Sequence, residues 1–194
     1  MSDTPQASGS KGRVVELASL GRYYQSGSSQ AVINHLTGEH EAMFADATGE
    51  TFPTVMDRVL RETVIQVPVV ENDFDKLLIG DKYHLMFAVR NISYPSGGEY
   101  GFTLTCPKCS SRNNITLDLE KDIIMRHPPE GAKEPFMVDL PVSGHTVGMR
   151  LLRVMDEVEM IKFVRKARQR QDLRGDPAYL YAMSKGMLTM DGEP

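Results

Sequence analysis

Cys106 and Cys109, in "TCPKCSSRN" over residues 105–113, are the two cysteines of the chain. Thiolates three residues apart around a proline turn can face one ion, as in a single knuckle of a zinc ribbon. A zinc ribbon repeats that knuckle about 15–20 residues later. Here the window holds His127, in "MRHPP", in place of a cysteine, and a later turn, "SGHTV", carries His145. Imidazole is a competent zinc ligand. The spacing admits one structural zinc held by Cys106, Cys109, His127 and His145. Three other readings stay open: a tight turn without metal, a four-thiolate site shared by two copies of the chain, and a redox dithiol. The redox motif belongs at the start of a helix in a βαβ unit, whereas this one tips a hairpin. A catalytic zinc would need an open position and a general base close by. The flanking Thr105, Pro107, Lys108, Ser110 and Ser111 supply no such base.

Other reactive types have plainer explanations. Asp156 and Glu157 stand at a helix start, where the dipole favours carboxylates. "SGGEYG" is too short for a phosphate loop and lies between a helix and a strand. His84 reads as a core-edge residue, and His35 and His40 as surface residues. No histidine pairs with a nucleophile in a recognisable catalytic spacing, so a non-enzymatic role is expected. Lys162, Arg165, Lys166, Arg168 and Arg170, with Arg174 beyond, form a basic run. It reads as a solvated helix face, because bases suit a helix C-terminus.

The elements that must position these groups follow from periodicity. Residues 1–12 are small and polar, an expected disordered arm. "TGEHEAMFADATG" reads as a short helix with Thr37 as cap and Gly49 as stop. In "TFPTVMDRVLRETVIQV", Pro53 suits a first turn, and Val55, Val59, Leu60 and Val64 make a helical stripe that runs to Pro68. A second helix follows with Asp81 as cap and Leu85 and Val89 facing the core. No strand is expected between 54 and 92. The period then switches to two. Tyr100, Phe102 and Leu104 alternate, as do Ile115, Leu117 and Leu119, which predicts a β-hairpin with the dithiol at its tip. "FMVDLPVSGHTVGMRLL" predicts two more strands around "VSGH". "MDEVEMIKFVRKARQR" and "GDPAYLYAMSKGM" close the chain as helices, the second capped by Asp176, with Pro177 first and Gly186 at the stop.

The expected fold class is α+β: a helical body bearing a small antiparallel, half zinc-ribbon-like unit. The expected division is an arm at 1–12, a mainly helical part at 13–98, the β unit at 99–153 and helices at 154–194. The net charge of −4 over 194 residues argues against a dedicated nucleic-acid binder. No run approaches the ~18 apolar residues of a membrane helix. The polar start lacks the apolar core of a secretory signal, and a dithiol in that setting points to a reducing compartment. Twelve methionines and no tryptophan fit an adaptable apolar surface.

The order of segments adds a resemblance. "LGRYY", "LTGEHEAMFADA", "DFDKLLIGDKYHLMFAVRNISYPSGGEYGF", "CPKC", "ITLDLE" and "FMVDLPVSGHTVGMRLL" together resemble the T-even-type bacteriophage baseplate hub assembly proteins. The likeness covers about residues 15–155 and rests on order and spacing, since each short motif alone is unspecific. It implies a non-enzymatic protein of a contractile tail. Such a protein is a hub component or an assembly factor that contacts hub and tape-measure proteins. It would sit in the virion baseplate or in the host cytoplasm during assembly. Cys106 and Cys109 carry over, while the absent second cysteine pair departs from a full ribbon. Self-association is admitted by the same chemistry. The alternative function is a zinc-ribbon-type regulator that binds nucleic acid through its basic C-terminal helix.

Overall fold

Alternation at Tyr100–Leu104 and Ile115–Leu119 produces the longest strand pair of the chain. In the computed structural model, which describes residues 12–49, 51–95, 99–119, 121–168 and 175–194, these segments form an antiparallel hairpin. The five helices among the described residues are α1 (Gly38–Ala45), α2 (Phe52–Thr63), α3 (Ile79–Ser93), α4 (Val154–Ala167) and α5 (Pro177–Gly186). The strands are β1 (Arg13–Glu16), β2 (Gln30–Ile33), β3 (Val64–Gln66), β4 (Glu99–Thr105), β5 (Arg112–Asp118), β6 (Phe136–Asp139), β7 (Thr146–Met149) and β8 (Met187–Met190). Helices with small antiparallel sheets make this an α+β chain. The arm expected at 1–12 lies outside the described residues except for Gly12.

The chain forms two units, each assembled from three stretches. The first takes residues 1–15, 31–66 and 85–125; the second takes 16–30, 67–84 and 126–194. This division cuts across the linear boundaries at 98 and 153. The antiparallel strands expected as one unit over 99–153 accordingly separate, with β4 and β5 in the first unit and β6 and β7 in the second.

In the first unit, β1, β2 and β3 make a three-stranded sheet with β2 in the centre. Val32 pairs with Gln66 and Ile33 with Val64. This corrects the expectation of a strand-free stretch from 54 to 92. The helix α2 stops at Thr63, short of Pro68, because the Thr63 hydroxyl turns back to donate to the Val59 carbonyl at 2.8 Å. Its β-branched successors Val64 and Ile65 then continue as a strand. Ala31, Ile33, Val59, Leu60, Leu85, Val89 and Ile92 form this unit's buried core.

The short helix α1 begins at Thr37 as expected, but its box is unusual. The Thr37 hydroxyl accepts from the His40 amide at 3.4 Å, and His40 Nδ1 accepts from the Thr37 amide at 3.1 Å. His40 therefore carries its proton on Nε2, which meets Glu62 Oε2 at 3.2 Å. His40 is buried, not a surface residue. The helix ends at Ala45, before Gly49. Thr37→Ala is expected to cost about 1 kcal/mol by removing the cap, read from urea unfolding by tyrosine fluorescence; an unchanged midpoint would mean that the box contributes nothing.

In the second unit β7 is the centre of the sheet β6-β7-β8, with Val138 opposite Val147 and Gly148 opposite Thr189. At Gly148 a Cβ would run into the Thr189 hydroxyl, so glycine is what lets β8 close on β7. The helices α4 and α5 meet through Phe163 and Tyr181, whose rings lie 5.2 Å apart. Asp176 caps α5 as expected, accepting from the Ala178 amide at 2.9 Å. Leu17, Leu77, Leu78, Val147 and Val154 fill this core.

Candidate functional site

Three features could carry function: an apolar groove and a dithiol tip in the first unit, and a set of buried polar ties in the second.

The groove arises where α2, α3 and the base of the hairpin fail to close on one another. Phe52 and Met56 come from α2, Met86 and Phe87 from α3, and Tyr100 from β4, around a cavity of about 480 Å³. Phe44 of α1 joins Phe52 at a ring separation of 5.8 Å. Phe52 and Tyr100 are 44% and 47% exposed, so aromatic surface stands open to a partner. Arg90 is the cation of the lining, with its guanidinium 5.3 Å from the Tyr100 ring and 6.0 Å from the Tyr94 ring. The Tyr94 hydroxyl donates to Glu41 Oε1 at 2.6 Å, and that bond, with some burial, raises the phenol's pKa. Among the described residues, the titratable side chains lining this groove are Arg90, Tyr94 and Tyr100. The lining is suited to taking up apolar side chains.

The dithiol sits at the tip of β4–β5 as the alternation predicts. The Cys106 amide donates to the Ser111 carbonyl at 2.9 Å, and the Ser110 amide donates to the Cys106 carbonyl at 2.8 Å. Ser110 has φ of 58°, the left-handed conformation that reverses the chain. Both cysteines are free thiols. Cys109 Sγ lies 3.1 Å from the Ser111 hydroxyl. That hydroxyl first, then the Ser111 amide and the Cys106 thiol, hold Cys109 below the ordinary thiol range.

The two histidines expected beside this dithiol belong to the second unit, while the cysteines belong to the first. His127 Nδ1 donates to the Ala18 carbonyl at 3.0 Å. His145 Nδ1 lies 2.6 Å from Asp191 Oδ2. Asp191 also accepts from the Thr146 amide at 2.9 Å, and that amide first, then His145, depress its carboxyl. Among the described residues, no group of three or more His, Cys, Asp and Glu is placed to hold a metal ion.

The polar ties of the second unit centre on Asp81. It is not a cap but a buried acceptor in the first turn of α3. It takes the Ser19 amide at 2.9 Å, the Ser19 hydroxyl at 2.6 Å and the Tyr24 hydroxyl at 2.5 Å. Nearby, Asp156 accepts both arms of Arg150 at 2.7 and 2.8 Å, and Glu134 accepts both arms of Arg153. Glu157 meets Lys82 Nζ at 2.6 Å. The carboxylates of Asp156 and Glu157 thus answer specific cations as well as the helix dipole. On α4, Lys162, Arg165, Lys166 and Arg168 are exposed, and Arg170 lies outside the described residues.

No family model, curated protein or solved structure matches the chain. No helix among the described residues is long and apolar enough to cross a membrane.

Proposed function

We propose that this chain is a non-enzymatic protein of a bacteriophage contractile tail, a baseplate hub component or an assembly factor for hub and tape measure. It acts by protein–protein contact, in the virion baseplate or in the host cytoplasm during assembly. The motif order from "LGRYY" to "FMVDLPVSGHTVGMRLL" motivates the reading. The open aromatic and methionine groove of the first unit is the observation that carries it. A groove of this lining takes the apolar stripe of an amphipathic helix, which is how extended tail proteins can be gripped without a cofactor. Methionines such as Met56 and Met86 re-pack against different side chains, which suits a factor that meets more than one partner.

Co-expression with hub and tape-measure proteins is expected to give a complex that survives gel filtration. Phe52→Glu and Tyr100→Glu are expected to weaken it at least about 30-fold, the scale of a central hot-spot residue. Phe52 opens α2, where a carboxylate suits the dipole, so loss of the complex there would report on contact and not on folding. A monomer that ignores both partners would overturn the proposal. The exposed bases of α4 motivate the alternative, a regulator that binds nucleic acid. Its mark would be DNA binding that falls steeply with salt and is lost on replacing Lys162, Arg165 and Lys166.

A further inference from the structure

The hairpin tip presents half of a tetrahedral metal site. Pro107 fixes its own φ, Ser110 takes the left-handed conformation, and two backbone bonds between Cys106 and residues 110 and 111 lock the turn. This places both cysteines in one locked turn, with Cys109 Sγ 3.1 Å from the Ser111 hydroxyl. Two sulfurs are thereby placed before any ion arrives, which removes much of the ordering cost of binding. Zinc in a structural site takes four ligands. Among the described residues none stands ready as a third. Pro107, Lys108, Cys109, Ser110, Ser111 and Arg112 are all exposed, so the turn stands open to solvent.

A second copy of the same tip completes the set. A two-fold axis through the ion brings Cys106 and Cys109 of each chain to it, and such a contact closes on itself. The charges also match. Four thiolates on one divalent ion leave a net charge of −2. Lys108 between the cysteines and Arg112 just after the turn, both exposed, give two copies four positive charges to set against it. Leu104, 52% exposed on the strand below the tip, gains cover in the same contact.

We propose that one zinc ion bridges two copies of the chain through Cys106 and Cys109 of each. Binding exchanges the thiol protons for the ion. The bridge stands independently of the tail reading, since it needs only the tip.

The test uses the full reduced chain, loaded with zinc alone and freed of excess. Elemental analysis is expected to find one zinc per two chains, and light scattering a mass twice the 21.7 kDa of one chain. Cobalt loading is expected to give the intense visible bands of four-thiolate coordination. Cys109→Ser, at an exposed position that leaves the fold intact by circular dichroism, is expected to lose both ion and dimer, and a chelator to return wild type to monomer. His127→Ala and His145→Ala are expected to change neither. One ion per chain that is lost in the histidine variants would overturn the proposal in favour of a mixed thiolate–imidazole site. No uptake, or a dimer that persists in Cys109→Ser or in chelator, would overturn it too.

Discussion

Replacing Asp81 with alanine is expected to cost the second unit about 3–5 kcal/mol, the scale of leaving three buried donors without their acceptor. Asp81 is 1% exposed and gathers three hydrogen bonds from two residues far away in sequence. Its place in the first turn of α3 adds the favourable end of the helix dipole. Alanine leaves the Ser19 amide and hydroxyl and the Tyr24 hydroxyl without their acceptor in dry surroundings. Tyr24→Phe is the milder control. It removes one donor to Asp81 and also the oxygen that accepts from the Leu78 amide at 3.0 Å, for about 1–3 kcal/mol. Burial first, and the Asp81 charge second, raise the Tyr24 phenol far above its ordinary value of 10.0. A raised folded pKa means that the stabilisation is intact below the unfolded value and declines as pH climbs past it. Urea unfolding from neutral to strongly alkaline pH should therefore show an alkaline loss in wild type that Tyr24→Phe flattens. Equal alkaline slopes in the two proteins would refute this account of the network.

Arg150→Met is expected to cost about 2–4 kcal/mol, below the full scale for breaking a buried pair because the Arg150 side chain is 23% exposed. The change leaves the Asp156 side chain, 6% exposed, with the Arg153 amide at 2.7 Å in place of the guanidinium fork. Burial pushes the Asp156 carboxyl up, but the Arg150 fork and the Arg153 amide outweigh it and hold the pKa below the ordinary 3.8. A depressed folded pKa places the stabilisation above the unfolded value, with loss as pH falls through the folded one. Wild type should thus lose stability on acidification, and Arg150→Met should lose less over the same range. Asp156→Asn in the Arg150→Met background should add less than it does alone, since the two share one interaction. Additive effects would show that the fork is not coupled.

Much of this fold is legible in the residues. The hairpin stands out because seven-residue strands carry enough alternation to break the helical period. Asp176 and Pro177 announce α5 by local chemistry alone. The strands β3 and β8 escape because three or four residues hold too little period, and Val64 fits the stripe of α2 equally well. Asp81 looks like a cap because its donors lie 62 and 57 residues away, beyond any local pattern. His40 hides its role because a capping box is read from Glu or Gln at that position. The groove is the least legible feature. Met86 and Phe87 sit beside Leu85 and Val89 on one helix, and an open apolar face is written in the same alphabet as a closed one.

The interleaving of the two units has a consequence for synthesis. By Met125 the ribosome has delivered every stretch of the first unit, whereas the second still lacks all three strands of its sheet. The β7 centre strand gains its last neighbour only when Met187–Met190 arrives. At about 5–20 residues per second, the stretches 16–30 and 67–84 wait several seconds for that strand. During the wait their apolar side chains, Leu17, Leu77 and Leu78 among them, have no finished core to enter. The first unit thus has all its stretches before the second gains its last strand. A chain stalled between those points would present a finished groove and hairpin beside an unfinished partner.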